Sequence, residues 1–173
     1  MLFRSGKILS GFNFAGAELG HTVIVHNGKE CTCGRKGCME CYASATALME
    51  QTREKMEQCK DSLMWKLCDD KIENVDGRTA FDAMRAGDEA AKEVIDTYIG
   101  YLACGVTNFI NVFQPEVFSI GGGISNEKEY LLAPLRKIVE VEQYSRNSDK
   151  KTQIKIAELG NRAGIIGAAS LGR

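Results

Sequence analysis

Three cysteines fall in one short loop, Cys31-Thr32-Cys33-Gly34-Arg35-Lys36-Gly37-Cys38, and His21 precedes them. Thiolate and imidazole are the donors a tetrahedral Zn²⁺ favours, and a set of three Cys and one His completes its shell. Gly34 and Gly37 stand where a tight turn must fold the sulfurs inward, and Lys29, Arg35 and Lys36 favour thiolate formation. The competing reading is three free or structural thiols beside an unrelated histidine. Four protein ligands leave no position open, so such an ion is structural and acts by holding its neighbours in place. Those neighbours include two carboxylates, Glu18 just before His21 and Glu40 just after Cys38. Clamped together they could accept hydrogen bonds from a polyol; without the ligands beside them, each would read as a solvated surface charge.

A second candidate is Gly121-Gly122-Gly123, placed between an apolar run and a helical one. Backbone N–H groups at such a junction can face an anion or a nucleotide. The run lacks the Lys-Ser/Thr ending of a P-loop and the spacing of a dinucleotide fingerprint, and a plain tight turn explains it equally well. His26 reads as ordinary surface. With two histidines in all, any centre needing several imidazoles is excluded. Seven cysteines, an odd number with three clustered, indicate a metal site plus spare thiols and not a disulfide framework. Cys41, Cys59, Cys68 and Cys104 are assigned to packing or surface.

Several elements must position these groups. Leu2 to Leu9 reads as a hairpin turning at Ser5-Gly6, followed by the glycine-punctuated loop Gly11–Gly16. Thr22–Val25 is β-rich and runs into Asn27-Gly28, a strong hairpin signal expected to bring the strand end back beside the cysteines. Helix is expected from Tyr42 to about Lys60, in pieces to Leu67, and again from Thr79 to Arg85. Asp88 is the expected N-cap of a long buried helix in which Ala91, Val94, Ile95, Tyr98, Ile99, Leu102, Val106, Phe109, Ile110 and Phe113 recur at three- and four-residue steps. Gly100 and Gly105 within it suggest close packing by a neighbour, and Pro115 ends it. Val117–Ile120 is expected as a strand, Glu127 to Val141 as a helix, Gln153–Ala157 as a strand and Ala163–Leu171 as a small-residue helix. Strands interleaved with helices make an α/β layer. No repeat or linker interrupts it, so residues 1–173 read as one domain. Strands are few for so much helix, and the expectation is a fragment whose missing strands precede residue 1.

The chain has 173 residues, with 22 Lys and Arg against 23 Asp and Glu for a net charge of -1. That balance argues against nucleic-acid binding by phosphate neutralisation. No apolar run reaches the roughly 20 residues of a membrane span. A soluble, cytoplasmic protein is expected.

Taken together, Glu18-Leu19-Gly20-His21 and Cys31-Thr32-Cys33-Gly34-Arg35-Lys36-Gly37-Cys38-Met39-Glu40 resemble the signature of the ROK family of sugar kinases and sugar-responsive repressors. Pro115 to Ser125 resembles a second block of that family, and Ala163 to Ala169 a third. Within the family, Ser10 to Ala17 is most similar to bacterial glucokinases. The resemblance implies the C-terminal lobe of an actin-like, ribonuclease H-like ATPase fold, with hexose (glucose first) and ATP bound between two lobes. It implies that Glu18, His21 and Glu40 contact sugar hydroxyls, that His21, Cys31, Cys33 and Cys38 hold structural Zn²⁺, and that Gly121, Gly122 and Gly123 lie against the nucleotide. It also implies a homodimer. The family's DxGxT phosphate loop, its GTG-type loop and its catalytic Asp are not in this sequence. The parts that position phosphate and Mg²⁺ and deprotonate the sugar are therefore expected elsewhere, and this chain is expected to be inactive alone. A repressor's effector-binding domain is the alternative, and a zinc-stabilised assembly module with no ligand of its own is the third.

Overall fold

The structure, a computed structural model, describes residues 3, 4, 6–159, 162, 165, 166 and 169. Strands β1 (Phe3–Arg4) and β2 (Lys7–Ile8) pair antiparallel, Phe3 opposite Ile8, as the expected hairpin. Its turn residue Ser5 lies outside the described residues. Thr22–Val25 does not become a named strand. Its backbone partners come from the cysteine loop instead: Ile24 and Val25 N–H both donate to the Gly37 carbonyl, and Met39 N–H donates to Thr22. Only isolated bridges remain, Val23 with Cys38 and Glu30 with Lys36. A turn does form at Asn27-Gly28, Gly28 N–H to Val25 carbonyl at 3.1 Å with Asn27 at φ 55°. It redirects the chain without joining two paired strands, so the expected hairpin is replaced by a knuckle.

Helix α1 (Glu40–Ala43) starts immediately after the cysteine loop and is separated from α2 (Ala45–Gln58) by Ser44. The single helix expected from Tyr42 breaks there because Ser44 is extended and caps α2, its hydroxyl accepting from Ala47 N–H at 3.0 Å. Then come α3 (Leu63–Leu67), α4 (Thr79–Arg85) and the long α5 (Glu89–Phe113). Asp88 caps α5 as its position predicts, and Gln114 ends the helix in the left-handed region ahead of Pro115. Strand β3 (Val117–Ile120) follows. The helix expected from Glu127 is preceded by a 3-10 turn, Gly123–Glu127; Lys128, at φ 50°, separates that turn from α6 (Glu129–Glu142). Strand β4 (Gln153–Ile156) pairs parallel with β3, Val117 opposite Gln153 and Ile120 opposite Ile156. The C-terminal helix expected at Ala163–Leu171 lies largely outside the described residues.

The result is an α/β arrangement with two two-stranded sheets among the described residues. Helix α5 is its axis, packed by α1, α2, α4 and α6. The apolar stripe read from the sequence is buried, with Ile95, Tyr98, Ile99, Val106 and Ile110 meeting Leu48, Phe81, Leu131 and Leu135 in one core. Phe113, at the end of that stripe, stays partly exposed. Of the two glycines within α5, Gly105 has a close neighbour: a Cβ there would lie 2.3 Å from the Met39 sulfur, so that side chain would have to shift. Gly100 has nothing within 4 Å of such a Cβ, so no close neighbour explains it. No helix among the described residues is long and apolar enough to cross a membrane.

Candidate functional site

The site is built by a knuckle of chain between Glu18 and Ala43. Cys31 N–H donates to the Arg35 carbonyl at 2.8 Å and Gly34 N–H to Cys31 at 2.9 Å, closing the loop that carries Cys33. Gly37 N–H returns to the Lys29 carbonyl at 2.8 Å and turns the chain toward Cys38. Gly37 has φ 80°, and a Cβ there would sit 1.7 Å from the Val25 carbonyl oxygen. Only glycine fits both constraints. On the other side, Leu19–His21 is one 3-10 turn, its His21 N–H bonded to the Glu18 carbonyl at 3.1 Å. The Arg35 guanidinium donates to the His21 carbonyl at 3.1 Å and ties that turn to the knuckle.

These folds bring His21, Cys31, Cys33 and Cys38 together with one donor atom from each within 4.8 Å of all the others. His21 Nδ1 lies 3.5 Å from Cys31 Sγ, and Cys33 Sγ lies 3.6 Å from Cys38 Sγ. Zn–S near 2.3 Å and Zn–N near 2.0 Å in a tetrahedron place ligand atoms roughly 3.4–3.8 Å apart. Both measured separations fall in that range. The donor set therefore fits a tetrahedral, thiolate-binding cation. The sulfurs are unequal. A hydrogen bond from the Cys33 backbone, with help from the neighbouring side chains and against burial, lowers the Cys31 thiol to about 6. Burial, followed by the adjacent sulfurs of Cys33 and Cys31, pushes Cys38 up to about 12.

The cations expected to favour thiolate are engaged elsewhere. Lys29 Nζ pairs with Glu54 at 3.1 Å, and Lys36 with Glu30 at 3.1 Å. Arg35 serves the His21 backbone, as above.

Glu40 joins the cluster. Its Oε2 is 3.4 Å from His21 Nδ1, and its Cβ would be 3.7 Å from a Cβ on Gly20. Glu18 is exposed at the start of the same 3-10 turn. Of the two acids named from sequence, the structure thus brings the Glu40 carboxylate to the His21 ring, while Glu18 is joined to His21 only through its backbone carbonyl among the described contacts. Gly121, Gly122 and Gly123 are exposed at the end of β3, Gly122 at φ 80° with its carbonyl accepting from Ser125 Oγ at 2.6 Å. No hydrogen bond or ion pair among the described residues joins this loop to the His21 cluster. Sequence reasoning missed the mounting of the knuckle. Tyr42 accepts from Lys29 N–H at 2.6 Å and packs against Tyr101 of α5, ring centroids 4.7 Å apart and planes tilted by 46°, while Tyr98 donates to the Ala43 carbonyl at 3.0 Å. These are contacts between residues far apart in the chain, invisible to local spacing.

Fold and site together define the class, an α/β domain carrying a Cys/His donor cluster on a loop. Over 167 residues the chain is 41% identical to a glucokinase of Thermotoga maritima, covering 96% of this chain and 52% of the relative. It superposes with a TM-score of 0.88 and 30% identity on a ROK family glucokinase from Streptomyces griseus in complex with glucose and AMPPNP, covering 96% of this chain and 54% of that one. A xylose repressor of Bacillus spizizenii is 27% identical over 165 residues, 94% of this chain and 37% of the relative. The ROK family model matches residues 3–173, and the chain belongs to that family. It spans about half the length of the glucokinases it matches.

Proposed function

We propose that residues 1–173 are the C-terminal lobe of an ATP-dependent hexose kinase of glucokinase type, acting on glucose in the cytoplasm as a homodimer. The observation that carries this reading is the meeting of His21 and Glu40 at a Cys/His donor set, with Glu18 opening the turn that carries His21, in a chain 41% identical to a glucokinase. His21, Cys31, Cys33 and Cys38 hold structural Zn²⁺, whose four protein ligands leave it no catalytic position. When bound, the ion supplies rigidity: it fixes the His21 ring and, through it, the turn that carries Glu18. Nδ1 of His21 faces the Cys31 sulfur and serves as the zinc ligand, which leaves Nε2 for a sugar hydroxyl. With Nδ1 so occupied, Glu40 has no proton there to accept, and its carboxylate turns to the sugar. Glu18 supplies a second carboxylate acceptor. Hydrogen bonds to charged groups of this kind are worth about 1.5–3 kcal/mol each.

Gly121–Gly123 lies against the nucleotide in this reading. The residues that would hold Mg²⁺ and deprotonate the attacking hydroxyl belong to the DxGxT-bearing half, a block these 173 residues do not contain. The 173 residues alone therefore do not phosphorylate glucose, and appreciable turnover by them would contradict this assignment. In the complete kinase, Glu18→Ala raises the KM for glucose at least about tenfold, the loss of one charged hydrogen bond, with little change for ATP. An unchanged glucose KM removes Glu18 from the site. The similarity to a xylose repressor supports a second reading, a sugar-sensing domain that keeps the same carboxylates and binds sugar without turnover. A DxGxT block upstream in the parent protein supports the kinase; a helix-turn-helix supports the repressor.

A further inference from the structure

Arg85 ends α4 and reaches from the helical core toward the glycine loop. Its Nη1 donates to Glu127 Oε2 at 2.6 Å, its Nη2 pairs with Asp82 one turn back in α4, and its guanidinium lies 5.0 Å from the centre of the Tyr130 ring in α6. Asp82 and Tyr130 thus set the planar fork in place for Glu127. Glu127 is the last residue of the 3-10 turn Gly123–Glu127, and its side chain is 5% exposed. Taking a carboxylate out of water is costly, and a buried ion pair is seldom better for stability than apolar residues of the same volume. What the pair supplies is direction, a charge-assisted bond of fixed geometry. The loop needs one. At the end of β3 the Ile120 carbonyl accepts from Ala157 N–H at 2.8 Å. Beyond that point the bonds are local: Ser125 N–H and Oγ both donate to the Gly122 carbonyl, and Lys128 N–H donates to Ser125. Among the described residues, Arg85–Glu127 is the only side-chain hydrogen bond or ion pair that ties residues 121–128 to another element.

We infer that Arg85 is a positioning residue for the nucleotide: through Glu127 it holds the 3-10 turn that aims Gly121–Gly123 and ties that loop to the core helices. The inference deepens the reading that Gly121–Gly123 lies against the nucleotide, and it rests on that reading. Arg85 acts through Glu127 and not on the reacting atoms. With the pair broken, the turn keeps its local bonds but loses its fixed relation to α4. The loop then meets ATP in many orientations, and nucleotide affinity falls. Glu18, His21 and Glu40 stand on the knuckle, which neither member of this pair contacts through a hydrogen bond or ion pair, so sugar binding stays. A loss confined to one substrate separates positioning from general support of the fold.

The test uses the complete kinase. Arg85→Met leaves Glu127 buried without its cation, so the double variant Arg85→Met with Glu127→Met, which leaves no charge unpaired, is measured beside it. Both are expected to raise the KM for ATP about tenfold with the KM for glucose within about twofold of wild type, and Arg85→Lys to recover most of the loss. In hydrogen exchange without nucleotide, the Ser125 and Lys128 amides of both variants are expected to exchange at least about tenfold faster, while those in the middle of α5 keep the wild-type rate. Unchanged exchange at Ser125 and Lys128 overturns the proposal whether or not the loop meets ATP, and so does a joint rise of both KM values. Faster exchange with an unchanged ATP KM overturns the nucleotide reading of Gly121–Gly123, on which the role depends, and leaves the pair as a tether of the fold. A complete protein that binds no ATP overturns that reading too, and the exchange rates still test the pair.

Discussion

Cys33 is exposed, whereas Cys38, its partner at 3.6 Å, is wholly buried. That difference makes Cys33 the cleaner probe of the centre. Replacing Cys38 would remove a packed sulfur as well as a ligand, while Cys33→Ser removes a donor and almost no buried surface. Cys33→Ser is expected to lower bound zinc from about one ion per chain to near none and to depress the Tm, because ligation contributes folding free energy. Elemental analysis with a thermal melt checks this; a metal-free wild type of unchanged stability would remove the centre. Gly37 tests the same knuckle through its backbone. Gly37→Ala forces a side chain into the left-handed region and against the Val25 carbonyl, 1.7 Å from the new Cβ. The expected cost is about 3 kcal/mol or more, since strain at such positions alone runs to about 1–3 kcal/mol. Urea denaturation measures it. That the four donors come together was legible from their residue types and the Asn27-Gly28 turn between them. The mounting of the knuckle was not, because Tyr42 and Tyr101 lie far apart in the chain and only the folded core joins them.

Asp88 does for two helices what its sequence position indicated for one. Its Oδ1 accepts from Ala91 N–H at 2.9 Å and caps α5. Its Oδ2 accepts from the Ser62 hydroxyl at 2.7 Å and Leu63 N–H at 2.5 Å, at the start of α3. Burial opposes the charge of Asp88, but these donors outweigh it and hold the carboxyl below its ordinary range. A carboxyl depressed by folding stabilises the fold above its unfolded pKa, near 4, and that contribution disappears as pH falls through the lower folded value. Asp88→Asn, which keeps the shape and loses the charge, is therefore expected to cost about 1–2 kcal/mol at pH 7. The gap to wild type should narrow below about pH 4. Urea titrations at neutral and acid pH check both, and a gap that widens in acid contradicts the role. Elements with strong internal signals were legible: the stripe and cap of α5, the Val117–Ile120 strand and its parallel partner. Thr22–Val25 was misread because strand propensity is decided by available partners, and here the Gly37 carbonyl takes two of its N–H groups. The break at Ser44 was missed because a serine competes with the helix only when extended backbone suits the tertiary path.

The knuckle is mounted on the core at few points, and that governs how metal binding and global stability are coupled. Met39, the residue after the last ligand, seats against α5 where Gly105 leaves room; Tyr42 and Ala43 meet Tyr101 and Tyr98 of the same helix. The connection that follows from this is a mechanical one: α5 holds the Cys38 end of the loop and, through α1, the backbone of Glu40. The two glycines of α5 make a matched pair for testing it. Each lies within the helix, so alanine there gains about 1 kcal/mol of intrinsic propensity. At Gly100 the new methyl meets nothing within 4 Å, and Gly100→Ala is expected to realise that gain with unchanged zinc affinity. At Gly105 it would lie 2.3 Å from Met39 Sδ and 2.5 Å from its terminal methyl, so Met39 has to leave its place. Gly105→Ala should therefore show little or no net stabilisation and a faster loss of zinc to a chelator. If the centre were held by its own loop alone, both variants would release zinc at the wild-type rate. A difference confined to Gly105→Ala would show that the central helix supports the geometry of the site.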